Sequence, residues 1–254
     1  MNLDLFSLKG KNALVTGSRG GLGAGIAVAL AQAGANVVVH DARSEGLDDV
    51  CAAVRAAGGT AVRAQADIGQ AKACEDLVEL AIRELGWLDI LFNNAGIIRR
   101  APASEYPSQD WADVIEVNLN AVFRLCQLAG RHMLARKSGK IVNTASLLSF
   151  QGGIRVPAYA AAKGAVAQLT KALANEWAEH GINVNAIAPG YMATDNTAPL
   201  RADPVRSAQI LQRIPAGRWG TPADLAGTAV FLASAASDYV NGHVLVVDGG
   251  WLAR

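Results

Sequence analysis

Short apolar runs alternate along this chain with longer stretches in which apolar residues recur at helical spacing. The runs are rich in Val, Ile, Leu and Ala with few polar interruptions, which is typical of strands that are buried on both faces of a sheet. They predict seven strands, over residues 11–16, 36–40, 60–66, 88–93, 140–145, 183–188 and 243–247. The stretches between them predict helices, among them residues 24–33, 71–85, 108–136 and 157–180.

This alternation of strand and helix predicts an α/β fold with one parallel sheet. Right-handed crossovers place helices on both faces, which gives a doubly wound, Rossmann-type sheet of seven strands in a single domain over residues 1–254. The ligand crevice is expected between the first and fourth strands. Residues 191–218 break the alternation with Pro199, Pro204, Pro215 and one amphipathic piece at 205–214, so this segment is predicted to be a substrate lid.

Composition narrows the function classes. The 254 residues are 51% hydrophobic and carry a net charge of +1 without a basic stripe, so neither nucleic acid nor an anionic membrane is an expected partner. The apolar segment 23–39 is interrupted by polar residues and glycine, so it is interpreted as helix plus strand rather than a membrane span. Because the first nine residues carry Asp4 where a secretory leader is basic, the expected location is cytoplasmic.

Cysteine and histidine usage gives no sign of a metal or disulfide site. Three cysteines, at positions 51, 74 and 126, form no Cys-x-x-Cys pair, which suits a reducing compartment and core packing. Four histidines, at positions 40, 132, 180 and 243, show no ligand spacing. No metal is therefore expected.

A glycine-rich turn joins the first strand to the first helix. Residues 16–23 read Thr-Gly-Ser-Arg-Gly-Gly-Leu-Gly, and Gly17, Gly21 and Gly23 allow the backbone amides at the helix start to face a pyrophosphate. Asp41 ends the next strand, where a carboxylate can accept hydrogen bonds from an adenosine ribose and would repel a 2′-phosphate. This favours NAD over NADP, although Arg19 and Arg43 lie close in sequence. A helix cap is the alternative role for Asp41.

An acid/base pair is the most informative motif. Tyr159 and Lys163 are four residues apart in a predicted helix, so they share a face and the ammonium can lower the pKa of the phenol. Ser146, at a strand end upstream, can hold a carbonyl or alcohol oxygen while Tyr159 exchanges a proton with it. Taken alone, such a pair can also be a half-buried aromatic residue beside a solvated lysine.

These motifs occur in one order with Asn93-Asn94-Ala95-Gly96, Asn118 and Pro189-Gly190, and the chain thereby resembles the short-chain dehydrogenase/reductase family over nearly its whole length. The resemblance implies a catalytic tetrad of Asn118, Ser146, Tyr159 and Lys163. In it, Lys163 can also grip the cofactor ribose, and Asn118 interrupts regular helix bonding and holds a water. The nicotinamide cofactor is expected to be bound by Gly17, Arg19, Gly21, Leu22, Gly23, Asp41, Asp67, Ile68, Asn94, Ala95, Gly96, Tyr159, Lys163, Pro189, Gly190, Met192 and Thr194.

The resemblance also implies a homotetramer. Members of the family often pair the two long helices predicted here at 108–136 and 157–180. The C-terminal residues 249–252 are a further candidate contact, with packing onto their own subunit as the alternative.

Basic and polar residues in two loops indicate the substrate class. Arg99 and Arg100 follow the Asn-Ala-Gly turn, and the segment 149–155 follows Ser146 and contains Gln151 and Arg155. Since a guanidinium binds a carboxylate through two parallel hydrogen bonds, we expect a polyhydroxy acid held by Arg100, Ser146, Gln151, Arg155 and Tyr159. Solvated surface arginines are the alternative.

Within the family, residues 97–100, 149–157, 188–194 and 213–220 resemble dehydrogenases of uronate and pectin breakdown. These interconvert 2-dehydro-3-deoxy-D-gluconate and its 5-keto form with NAD(H). A group that acts on gluconate shares the paired arginine and is the runner-up. A catalytically silent nucleotide sensor on the same fold is the alternative of a different class.

Overall fold

The apolar runs form one parallel sheet in the computed structural model, which describes residues 3–254. Its strands lie in the order β3-β2-β1-β4-β5-β6-β7 and all pair in parallel. They are β1 Asn12–Val15, β2 Asn36–Asp41, β3 Ala61–Gln65, β4 Ile90–Asn93, β5 Gly139–Thr144, β6 Ile182–Pro189 and β7 Val244–Val247. The predicted seven-stranded doubly wound fold is confirmed, with strand bounds that differ by one or two residues. Met1, in the segment weighed as a leader, and Asn2 lie outside the described residues.

Nine α-helices surround the sheet in the described part of the chain. They are α1 Gly21–Gln32, α2 Leu47–Ala56, α3 Ala71–Leu85, α4 Ser108–Ile115, α5 Ala121–Arg136, α6 Pro157–Trp177, α7 Ala198–Ala202, α8 Pro204–Arg213 and α9 Ala223–Ala233. One face of the sheet packs against α1, α2 and α9, and the other packs against α3, α5 and α6. Within residues 3–254, no helix combines the length and apolar character needed to cross a membrane.

Burial on both faces explains why the central strands contain runs of apolar residues. Successive side chains of a strand point to opposite faces. In β2, Val37 and Val39 belong to the core on the α1 side, while Val38 belongs to the core on the α3 side. All four residues of β1 and all eight residues of β6 are buried. The core therefore fixes the register of the central strands and, with it, the position of the loops at their carboxyl ends.

The long helical run predicted over 108–136 is broken in the middle. Residues Glu116–Asn120 form a π-helical turn between α4 and α5. Asn118 lies in this turn and is fully buried. The predicted interruption of regular helix bonding at Asn118 is thus present, and π-turns of this kind occur frequently at functional sites.

Two short helices fill the segment predicted to be a lid. The α8 helix begins where Asp203 accepts hydrogen bonds from the Val205 and Arg206 amides at 3.0 and 2.9 Å, with Pro204 in its first turn. Its buried face, with Ile210 and Ile214 just beyond its end, forms a small core with Leu147 and Trp251. Trp251 of the C-terminal tail therefore packs onto its own subunit, which was the alternative weighed from the sequence.

Candidate active site

A cavity of about 650 Å³ runs along the carboxyl ends of the central strands. It extends from the glycine turn before α1, past the ends of β2 and β3, to Tyr159 and Lys163 on α6. Every residue predicted from the sequence to bind the cofactor lines this cavity, and so does Ser146. An elongated crevice at the edge where β1 meets β4 is the place where open α/β sheets bind dinucleotides.

The glycine turn has no room for side chains at two of its positions. Gly17 has φ = 63°, and a Cβ atom there would lie 2.7 Å from Ala95 Cα. A Cβ atom on Gly23 would overlap the Gly17 carbonyl oxygen. The turn is fixed to the loop after β4 by Asn94, whose Nδ2 donates to the carbonyl oxygens of Thr16 and Gly17 at 3.0 and 2.9 Å. The start of α1 therefore presents its amides to the cavity, as a pyrophosphate site requires.

Asp41 lies between two arginines, at the end of the cavity where the sequence predicts the adenosine. Its Oδ1 is 3.7 Å from Arg19 Nε and accepts the Arg43 amide at 3.0 Å. The α2 helix begins after Gly46, so Asp41 does not cap it. The carboxylate is therefore placed at the cavity wall, where hydroxyl groups of a ribose would be its partners. The guanidinium of Arg19 lies beside it and lines the same cavity.

Tyr159 and Lys163 meet at the other end of the cavity. Lys163 is 3% exposed, its Nζ donates to the Thr144 carbonyl at 2.6 Å, and the same nitrogen lies 5.6 Å from the centre of the Tyr159 ring. Burial lowers the pKa of Lys163 from its ordinary value of 10.5 to about 8. The solvated lysine considered from the sequence is therefore not what the structure contains.

The pKa of Tyr159 differs from the sequence prediction. The sequence predicted that Lys163 would lower it, whereas in the structure burial raises it. A hydrogen bond with Ser146 and the charge of Arg100 oppose that rise. The reason is that desolvation penalises a buried phenolate more than these two neighbours stabilise it. Ionisation of Tyr159 therefore depends on every group that contacts it, not on Lys163 alone.

Both ends of the Asn118 side chain are hydrogen-bonded to Ile97. Its Oδ1 accepts the Ile97 amide and its Nδ2 donates to the Ile97 carbonyl, both at 2.8 Å. Both ends of the side chain are thus used to hold the loop that follows β4. Each of these two atoms can form one further hydrogen bond, so the water at Asn118 stays a prediction, while the side chain positions Ile97 and the neighbouring Gly96 at the cavity wall.

Of the predicted substrate residues, Ser146 and Tyr159 line the cavity, whereas Arg100, Gln151 and Arg155 are not among its lining residues. Arg100 donates to the Asn196 carbonyl at 3.2 Å, and its positive charge acts to lower the pKa of Tyr159. Arg155 has φ = 64°, an unfavourable conformation for a residue with a side chain, and its carbonyl accepts the Ala101 amide at 3.1 Å. The Gln151 Oε1 accepts hydrogen bonds from Arg213 at 3.3 Å and from Trp251 at 3.2 Å.

Sequence reasoning missed several residues of the cavity wall. Arg99 lines the cavity although Arg100 was the predicted ligand, and Thr144, Asp195 and Asn196 line it as well. The arginine pair was visible in the sequence, but its pattern could not tell which member faces inward. Within residues 3–254, no group of three or more His, Cys, Asp or Glu side chains is placed to hold a metal ion.

Comparisons with known proteins agree with this geometry. A family model described as enoyl-(acyl carrier protein) reductase matches residues 17–252. The 2-dehydro-3-deoxy-D-gluconate 5-dehydrogenase of Bacillus subtilis is 57% identical over 99% of this chain and 98% of its own, and the Escherichia coli protein of that name is 54% identical over the whole of both chains. The 5-keto-D-gluconate 5-reductase of Escherichia coli is 45% identical over 98% of both chains.

Solved structures give the same result. An Agrobacterium tumefaciens structure with bound NADP is 54% identical, with a TM-score of 0.92 over 99% of this chain and 100% of its own. The gluconate 5-dehydrogenase of Burkholderia cenocepacia, in complex with NADP and tartrate, is 42% identical with a TM-score of 0.95 over 99% of both chains. The predicted oxidoreductase class is confirmed, and the chain belongs to the short-chain dehydrogenase/reductase family.

Proposed function

We propose that this protein is a nicotinamide-dependent dehydrogenase that interconverts 2-dehydro-3-deoxy-D-gluconate and its 5-keto form. The observation that carries the proposal is full-length identity of 54–57% to dehydrogenases of that name. The continuous cavity that joins a dinucleotide-type glycine turn to Ser146, Tyr159 and Lys163 supports it.

Each residue of the proposed tetrad has a separate role in the reaction. The nicotinamide, when bound, supplies or accepts the hydride. Tyr159 donates a proton to the substrate oxygen during reduction and accepts it during oxidation, and Ser146 holds that oxygen by a hydrogen bond. Lys163 is placed to stabilise the phenolate that remains and to contact the ribose. Asn118, through Ile97, keeps the opposite wall of the cavity in position.

For the cofactor, we propose that Asp41 makes NAD(H) the preferred partner, because its carboxylate would repel a 2′-phosphate. The NADP bound in related structures and the neighbouring Arg19 and Arg43 favour the alternative, NADP(H). The ratio of kcat/KM for the two cofactors decides between them. Asp41→Ala should shift that ratio toward NADP(H) if NAD(H) is preferred, and Asp49→Ala on exposed α2 is the control. A wild-type preference for NADP(H) would refute this assignment and leave the dehydrogenase reaction intact.

For the substrate, we propose that Arg100, Gln151 and Arg155, together with Ser146 and Tyr159, hold the sugar acid, with the carboxylate on a guanidinium. The tartrate in the Burkholderia cenocepacia structure supports an anionic hydroxy acid as ligand. Arg100→Gln should raise KM for the sugar acid and leave the Kd of the cofactor unchanged. Arg83→Gln, on the exposed side of α3, is the matched control.

The second candidate is the reduction of 5-ketogluconate, which relatives at 45% identity favour. Purified protein tested with the reduced cofactor against both keto acids would separate the two. A higher kcat/KM on the deoxy substrate supports the first proposal. Equal failure on both would end the sugar-acid assignment.

Further expectations remain proposals. We expect a cytoplasmic homotetramer, acting in uronate and pectin breakdown, with residues 191–218 closing over the substrate. The exposed Trp111 on α4 and Phe123 on α5 support an interface on these helices. Light scattering after size-exclusion chromatography tests it, and Phe123→Glu should reduce the assembled mass.

A further inference from the structure

Ser149 makes two hydrogen bonds that join two parts of the candidate active site. Its Oγ accepts the Ser146 amide at 3.2 Å and donates to the Lys163 carbonyl at 2.7 Å. The first contact lies in the loop that follows β5. The second reaches α6, the helix that carries Tyr159 and Lys163. One hydroxyl group thus connects the backbone of the serine and that of the lysine.

The same turn determines whether the Ser146 hydroxyl donates or accepts a hydrogen bond in the cavity. Residues Leu147–Ser149 form a 3-10 turn with reciprocal capping, in which Ser146 Oγ accepts the Leu148 amide at 3.2 Å. An oxygen that already accepts an amide hydrogen keeps its own O–H free to donate. That hydrogen is the one available to Tyr159 or to a substrate oxygen.

The Ser149 hydroxyl both accepts and donates a hydrogen bond, and the Lys163 carbonyl to which it donates lies inside α6, where it also accepts a helical amide. Without it, the Ser146 amide and the Lys163 carbonyl would each lose a hydrogen bond in a partly buried environment. The loop would then lose its backbone-anchored link to α6 and keep the side-chain contact between Ser146 and Tyr159. A displacement of about 1 Å at a reacting group can lower the rate by roughly a hundredfold.

We infer that Ser149 is a positioning residue, which holds the Ser146 hydroxyl at a fixed distance from the proton-transfer residues of α6. The inference rests on the proposed dehydrogenase function and adds a residue outside the tetrad. Ser149 need not contact substrate or cofactor for this role. Its effect passes through Ser146 on one side and the backbone of α6 on the other.

The test compares Ser149→Ala and Ser149→Thr with the wild-type enzyme. Ser149→Ala should lower kcat by roughly tenfold to a hundredfold and leave the Kd of the cofactor within about twofold. Ser149→Thr keeps a hydroxyl group and should recover most of the rate. Should threonine not fit, Ser149→Cys, with its weaker donor and acceptor, should give an intermediate rate.

The pH profile separates positioning from general loosening. Because the hydrogen bond with Ser146 lowers the pKa of Tyr159, its loss should move the acidic limb of the oxidation rate toward higher pH. Ser237→Ala is the matched control, since the Ser237 hydroxyl likewise bonds to backbone carbonyls, those of Leu232 and Ser234 at 3.2 and 3.1 Å, and lies away from the cavity. Ser237→Ala should lower the melting temperature of the protein and leave the acidic limb of the oxidation rate at the wild-type pH.

Hydrogen exchange tests the geometry without turnover. The Ser146 amide should exchange faster in Ser149→Ala than in wild type or Ser149→Thr. Absence of turnover by the wild-type enzyme on any sugar acid would refute the proposed function. The exchange rate of the Ser146 amide would still test whether Ser149 holds this loop in place. Unchanged exchange, or a wild-type kcat and pH limb in folded Ser149→Ala, would overturn the inference.

Discussion

Replacing the buried Lys163 by methionine should make the protein more stable while it removes activity. Folding places this ammonium where burial lowers its pKa from 10.5 to about 8. At about 1.36 kcal/mol for each pKa unit, a protonated Lys163 opposes folding by about 3 kcal/mol relative to its neutral form. Methionine has a similar length and carries no charge.

The lost hydrogen bond offsets part of that gain. Lys163 Nζ donates to the Thr144 carbonyl at 2.6 Å, and methionine leaves this carbonyl without its donor. An unsatisfied buried carbonyl costs about 1–3 kcal/mol. We therefore expect Lys163→Met to raise the free energy of unfolding by up to about 2 kcal/mol at pH 7 without cofactor, a trade of stability for function.

The gain should depend on pH in a defined direction. Below pH 8 both the folded and the unfolded chain hold the proton, so the folded wild-type protein carries the whole penalty. As the pH rises from about 8 toward 10.5, the folded chain releases its proton first and wild-type stability increases. The advantage of Lys163→Met should therefore be largest near pH 7 and shrink above pH 8.

Urea unfolding at pH 7 and pH 9.5, at one protein concentration, measures this difference. Lys171→Met on the exposed side of the same helix is the control, and its effect should stay within about 0.5 kcal/mol at both values. A less stable Lys163→Met at pH 7, or a gain that does not change with pH, would refute the burial argument.

Three shorter predictions concern other parts of the molecule. Gly23→Ala should weaken cofactor binding by at least roughly tenfold, because the added Cβ displaces the glycine turn. A Cβ on Gly20 meets nothing within 4 Å, so Gly20→Ala should leave the Kd of the cofactor unchanged. Fluorescence titration measures both Kd values. Asp89→Ala, which frees the Asn12 amide and the Trp87 indole, should lower the free energy of unfolding by about 2–4 kcal/mol in urea, and an unchanged value would contradict this. Burial raises the pKa of Cys126 to about 12, so a thiol reagent at neutral pH should label it only after unfolding; rapid native labelling would count against it.

The local sequence was sufficient to predict the strands and the residues at their carboxyl ends. The strands were predictable because a strand that is covered on both faces needs an apolar run, and β2 and β4 show such runs at Val37–Val39 and Ile90–Phe92. The residues that line the cavity were predictable because parallel strands present their carboxyl ends at one edge. Asp41 and Asp67 follow different strands, yet they meet in one cavity.

Contacts between distant segments were not predictable. Gln151 was expected to read substrate hydroxyls, but its oxygen already accepts hydrogen bonds from Arg213, 62 positions away, and Trp251, 100 positions away. Nothing in the residues around Gln151 indicates these partners. The bridge made by Ser149 is hidden for the same reason, because its acceptor on α6 is brought near by the packing of a loop against a helix.

The error over Tyr159 comes from leaving out the burial of the phenol. Burial is the largest influence on the pKa of Tyr159 and raises it, while the hydrogen bond with Ser146 and the charge of Arg100 lower it by less. Removing the charge in Arg100→Gln should therefore raise the pKa of Tyr159 and move the acidic limb of the oxidation rate to higher pH. If the acidic limb of Arg100→Gln stays at the wild-type pH, Arg100 does not set the pKa of Tyr159, and Lys163 is the group that does.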